Sequence, residues 1–191
     1  MRTLCTCLLI AATVSPATAA PASRPPAEHH AYQTLDEALR EVFAGADSTW
    51  TESWTPDDAA RAALAAQLGA PQPAGEIVFH RARDGGRDLG WAVATDEIGL
   101  HEPITILVSV DAAREVGPVR VLVFRESRGG EVRRKRFLEQ FLGKTRADPL
   151  RITRDIDAVT GATYSSRAVT AGVKRVLALV DARYPLERSA P

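Results

Sequence analysis

A chain of 191 residues has room for one globular domain with additions. Its 45% hydrophobic and 25% charged residues match an ordinary soluble protein. Lys plus Arg and Asp plus Glu number 24 each, so bulk charge makes no case for nucleic-acid binding.

The opening stretch MRTLCTCLLIAATVSPATAA has the layout of a removable export signal. Arg2 supplies a positive start, Leu4 to Val14 an apolar run, Ser15-Pro16 a break and Ala17-Thr18-Ala19 a small-x-small cleavage pattern. The run is too short for a bilayer, which needs about 20 residues, and no later stretch approaches that length. The expectation is a signal peptide over residues 1–19 and an exported, periplasmic protein whose mature part has no transmembrane segment. Cys5 and Cys7, the two cysteines of the chain, leave with it, and Cys7 sits too early for lipoprotein acylation. The remainder is expected to have no disulfide, thiol nucleophile, iron–sulfur ligand or CxxCH haem attachment.

Residues 20–33 contain the Pro-rich PASRPPAEHH and read as a flexible leader. Glu28, His29 and His30 are metal-capable types, but no second cluster completes a site, and no metal is expected. Thr34 to Glu37 is a capping box that opens a helix carrying Leu35, Leu39, Val42 and Phe43 on one side. A second helix follows Thr55-Pro56-Asp57-Asp58, with Pro56 expected at its first position and Gly69 just past its end. Residues 34–74 thus read as a helical segment capping the main domain, with Trp50 and Trp54 packing the junction.

From residue 75 the period changes. EIVFHRAR, DLGWAVAT, ITILVSVD and VRVLVFRE are four β-branched runs with short links, which predict an antiparallel sheet with one buried face. KRFLEQFLG then places Phe137, Leu138, Phe141 and Leu142 at helical spacing before Gly143. A terminal helix over about 164–182 carries the stripe Ala168, Val169, Val173, Val176, Leu177 and Val180. The fold class is α+β, an antiparallel sheet packed against helices, with the domain over 75–183 and a tail over 184–191. In SRGGEVRRKRF the cations Arg128, Arg133, Arg134, Lys135 and Arg136 crowd together. The plain reading is a solvated basic turn, and a phosphate or partner contact is the alternative.

The terminal helix begins with DAVTGATYSS. One reading is an ordinary cap, in which Thr160 or Thr163 accepts the first free N–H groups. A second is a phosphate cradle, with Gly161 and Ala162 letting backbone approach an anion at the helix N-terminus. Neither GxxxxGK[ST] nor a GxGxxG after a strand is present, which excludes a Walker loop and a dinucleotide fold. A third joins the two: a threonine hydroxyl projecting from a turn of small residues carries the phosphate as an ester.

DAVTGAT resembles the flavinylation motif of the FMN-binding domain family. Its Asp, Ser or Thr, Gly, Ala and acceptor Thr correspond to Asp157, Thr160, Gly161, Ala162 and Thr163, continuing into Ser165-Ser166-Arg167-Ala168-Val169. The likeness extends through GWAVATDEIGLHEPITILVSVD and FRESRGGEVRRKRFLEQFLGK and covers roughly residues 76–180. That family includes flavin-carrying subunits of the Rnf complex and of the sodium-pumping NADH:quinone reductase, and small exported single-domain proteins. The resemblance implies that an exported flavin transferase, using FAD and magnesium, joins FMN to Thr163 through a phosphoester and releases AMP. Asp157 is then part of what the transferase recognises or what shapes the turn. Thr163 is a modification site, and no catalytic residue is expected.

Secondary candidates for the cofactor site are Ser166, Glu126 and His101. Glu126, Ser127, Gly129 and Gly130 form a turn where the family keeps an acid, a hydroxyl and glycines, and a plain connection is the alternative. His101 in GLHEP is a hydrogen-bond candidate for the flavin, although a lone loop histidine is more often surface or packing. Tyr164 and Arg167 are weaker candidates for the ring and the phosphate. The resulting expectation is an exported electron carrier with covalent FMN, docking membrane-bound or periplasmic redox proteins. The alternatives are a non-catalytic flavin module that senses redox state or supports a membrane complex, and an enzyme reducing a small molecule at the flavin.

Overall fold

The strand patterns explain the layers. In the computed structural model, which describes residues 30–72 and 74–186, the run Pro103–Val110 (β5) lies at the middle of a sheet covered on both faces. Ile104, Ile106, Val108 and Val110 face one core and Leu107 the other, so most of the strand reads as apolar. The other strands are β1 (His30–Ala31), β2 (Ser48–Trp54), β3 (Ile77–Asp84), β4 (Arg87–Ile98) and β6 (Val116–Phe124). They form one antiparallel sheet in the order β1-β6-β5-β4-β3-β2. The α+β class expected from sequence is the class observed.

Helix α1 (Leu35–Val42) covers one face, packing Ala38, Leu39 and Phe43 on Ala82, Ala92, Leu107 and Leu122. Its capping box is present: Glu37 N–H donates to Thr34 Oγ1 at 3.3 Å, and Thr34 N–H donates to Glu37 Oε2 at 2.9 Å. On the other face lie α2 (Asp58–Leu68), the short α3 (Lys135–Leu138) and α4 (Thr163–Arg183). All six residues of the α4 stripe are buried there, each Val or Leu contributing about 1.5–3 kcal/mol. Gly172 brings α4 close to the sheet, because a Cβ at that position would run into Ile106.

Three expectations are corrected. The segment 34–74 is not only helical: STWTESW forms β2, an edge strand paired with β3 from Ser48↔Arg83 to Trp54↔Ile77. Its half-buried positions are Trp50, Glu52 and Trp54, a period of two hidden among polar residues. Pro56 precedes the α2 cap, which is Asp57, whose carboxylate accepts from Ala60 N–H at 2.8 Å. KRFLEQFLG gives one α turn followed by a 3-10 turn at Glu139–Phe141, not a continuous helix. The leader reading of residues 20–33 also meets β1, whose His30 and Ala31 pair with Phe124 and Val123. The export signal, Cys5, Cys7, Glu28 and His29 lie outside the described residues. Among the described residues no helix is long and apolar enough to cross a membrane.

Candidate functional site

α4 runs parallel to β5, as its contacts show. Gly172 lies near Ile106, and further along Tyr184 packs on Trp91 at the far end of the sheet. Its N-terminus therefore stands at the sheet end where the β4–β5 loop (99–102) and the segment after β6 (125–130) also lie. The elements named from sequence converge there.

The DAVTGAT turn is built by backbone, not by threonine caps. Ala162 N–H donates to the Val159 carbonyl at 2.9 Å, closing a four-residue turn whose third residue, Gly161, has φ +78°. That conformation suits glycine, and nothing stands within 4 Å of where a Cβ would be. Ser166, fully buried, locks the turn from inside the helix: it accepts from Val159 N–H at 3.1 Å and donates to the Ala162 carbonyl at 2.9 Å. The helix cap is Ala162, which has no side-chain oxygen to offer, so neither Thr160 nor Thr163 caps α4. Among the described residues the first-turn N–H groups of Thr163, Tyr164 and Ser165 consequently lack a side-chain acceptor. Thr160, Gly161 and Thr163 are exposed, and Ala162 is buried. The Thr163 hydroxyl makes no hydrogen bond among the described residues. Arg167 lies one turn on along the same face, its guanidinium 5.9 Å from the exposed Tyr164 ring.

Asp157 is held by its main chain. Its N–H donates to Gln140 Oε1 at 2.7 Å, and Gln140 Nε2 donates back to its carbonyl at 3.2 Å. The Asp157 carboxylate is exposed and makes no hydrogen bond or ion pair among the described residues. The segment before it is fixed by Asp155, whose carboxylate accepts from Leu150 and Arg151 N–H at 3.1 and 2.7 Å and pairs with Lys144 at 3.2 Å.

Glu126 is buried and faces the β4–β5 loop. Its Oε1 accepts from His101 N–H at 2.5 Å and Glu102 N–H at 3.0 Å. Burial pushes its pKa up, but the backbone donors of Glu102, His101 and Leu100 outweigh that and hold it below the ordinary carboxylate value. Gly99 makes room for it, since a Cβ there would stand 2.7 Å from Oε1. The structure therefore uses Glu126 to clamp the loop and leaves the His101 ring exposed beside it. Gly129, at φ +94°, lies directly against α4: a Cβ would meet Ser165 Oγ at 2.5 Å and Ala162 Cβ at 3.3 Å. The 126–130 turn is thus braced on one side by the loop and on the other by the helix start.

Sequence reasoning missed Gln140 and Gly99, and it did not foresee that Ser165 packs against Gly129. Each acts through a partner distant in the chain. A cavity of about 580 Å³ lies elsewhere. The β3–β4 ladder stops at His80↔Ala92, and the cavity fills the fork between Ile77–Val78 and Val93–Thr95. The exposed turn, not that cavity, gathers the candidate residues.

Residues 99–178 match the family model described as FMN-binding domain. The match opens on Gly99, takes in His101, Glu126 and the whole DAVTGAT turn, and ends within α4. That stretch is a domain of the FMN-binding family. A curated relative is a subunit of the proton-translocating ferredoxin:NAD(+) oxidoreductase complex of Clostridium ljungdahlii, 30% identical over 111 residues. The alignment covers 54% of this chain and 60% of that relative, so the chain spans less than two-thirds of its relative's length.

Proposed function

We propose that the protein is an exported electron carrier with FMN bound covalently, as a phosphoester, to Thr163. The observation that carries this reading is the uncapped start of α4. An unengaged, exposed threonine hydroxyl stands there at the first helical position, beside a glycine with open space around it and three free backbone N–H groups. Those donors and the helix dipole favour a phosphate diester at this place. In the attachment step the Thr163 oxygen displaces AMP from FAD, forming one phosphoester bond as the pyrophosphate bond breaks, and the hydroxyl proton leaves. A separate transferase with magnesium catalyses it, and the free Asp157 carboxylate is available for that enzyme to read.

The bound flavin supplies the redox chemistry. The protein supplies the anchor, the clamped loop 99–102 and the turn 126–130 around it. The relative belongs, by its name, to an oxidoreductase complex, which supports electron relay to membrane-bound or periplasmic partners. Residues 1–19 are the export signal in this reading.

Intact mass tests it. The exported protein, co-expressed with an active flavin transferase, is expected to gain FMN less one water and to lose residues 1–19. Thr163→Ala is expected to show the cleavage without the gain. No gain, with the transferase active on another acceptor, would leave at most a loosely held flavin and refute the covalent carrier.

A further inference from the structure

We infer that the basic surface beside the Thr163 turn is the docking site for an acidic redox protein, an inference that rests on the carrier reading above. Residues 125–136 hold six cations against two carboxylates, and one of those, Glu126, is buried in the loop clamp. Arg128, Arg133, Arg134 and Arg136 are exposed, and none has a carboxylate within ion-pair distance among the described residues. Several arginines elsewhere do find partners: Arg81 pairs with Glu52 at 2.9 Å, Arg120 with Glu41 at 2.7 Å and Arg175 with Glu97 at 2.7 Å. With a formal net charge of zero over the chain, this surface is a local asymmetry and not a reflection of bulk charge.

Its position gives the asymmetry a use. Gly129 lies on Ser165 and Ala162, and Val132 is buried in the same core as Val169, so the cationic segment is fastened to the first turns of α4. Arg133 is braced on Tyr32, 4.6 Å from its ring centroid. Exposed Tyr164 and Leu100 add apolar surface at the same end of the sheet. A small apolar contact with unpaired like charges nearby suits a brief encounter, in which charge steers the approach and little area is buried. An acidic lipid surface shares the charge complementarity but accepts no electrons. Placement next to the cofactor-bearing threonine serves a redox protein.

The test uses two soluble haem proteins as probes, acidic cytochrome b5 and basic cytochrome c, each haem iron taking one electron from the reduced, FMN-loaded protein. Transfer to cytochrome b5 is expected to slow about tenfold or more between about 20 mM and about 200 mM salt, as the screening length shortens. The variant R128E/R133E/R134E/R136E is expected to lose about tenfold at the lower salt and to gain rate toward cytochrome c. R128Q/R134Q/R136Q, which keeps the Arg133–Tyr32 contact, is expected to fall between. Titration of the FMN-free protein with cytochrome b5 reads docking without the flavin, so a failure of flavinylation is distinguishable from a failure of this surface. Equal rates in wild type and variants, or binding to phosphatidylglycerol vesicles without binding to cytochrome b5, would overturn the inference.

Discussion

Replacing Glu126 by Gln tests the clamp that shapes one side of the candidate site. The carboxylate accepts two backbone N–H groups, from His101 and Glu102, while almost fully withdrawn from water. A hydrogen bond to a charged group contributes about 1.5–3 kcal/mol, against about 1 kcal/mol for a neutral one. Gln keeps an acceptor of the same shape and loses only the charge-assisted part, about 1–4 kcal/mol over the two bonds. For a chain of this size that lowers Tm by about 2–16 °C. Glu126→Ala removes both bonds and the side chain, and is expected to cost more.

The pH dependence separates charge from shape. The folded pKa of Glu126 lies below its unfolded value, so its stabilisation is present above about pH 4.3 and disappears as pH falls through the folded value. The Tm gap between wild type and Glu126→Gln should be open at pH 7 and close on acidification. Circular dichroism melts across that range measure it, and hydrogen exchange at the His101 and Glu102 amides locates it. An unchanged Tm with unchanged exchange at pH 7 would refute the clamp, and a gap that persists in acid would assign the effect to shape.

Gly161→Ala and Gly129→Ala compare backbone strain alone with strain plus contact. The first should cost about 1 kcal/mol, and the second more, with partial recovery in Gly129→Ala/Ser165→Ala; equal costs in chemical denaturation would contradict the packing of the 126–130 turn on α4. The pair of buried Glu97 and half-buried Arg175 should show strong coupling: Arg175→Met alone is expected to cost about 3 kcal/mol, and Glu97→Leu/Arg175→Met to recover most of it. Burial, only partly offset by Arg175, raises the Glu97 pKa, so its share favours the fold in acid and fades as pH rises through that value, opposite to Glu126.

The sequence carried those parts of the fold that are written locally. Four strands, the capping box at Thr34 and the α4 stripe each follow from spacing within about twenty residues. β2 was missed because STWTESW is short and polar and lies between two strong helix signals. Its pairing with β3, and the insertion of Arg81 between Trp50 and Trp91 at 5.2 and 4.8 Å, are tertiary facts. The DAVTGAT motif was legible for the same local reason as the capping box. Of the three readings of its threonines, the cap is the one the structure removes, since Ser166 and the Ala162–Val159 bond already hold the turn.

That division bears on what a covalent flavin would need. In the proposed carrier Thr163 would fix only the point of attachment, and a side-chain phosphoester would leave several rotatable bonds before the ring. A defined ring position must then come from the surroundings, here the loop clamped by Glu126 and the turn braced on Ser165. Both supports reach the site from residues about 35–65 positions away along the chain. The motif can therefore be intact while the ring is poorly held. A Glu126 variant that still takes up FMN at Thr163 but broadens or shifts the flavin absorbance would reveal that state. One whose spectrum matches wild type would place the ring's support outside the loop.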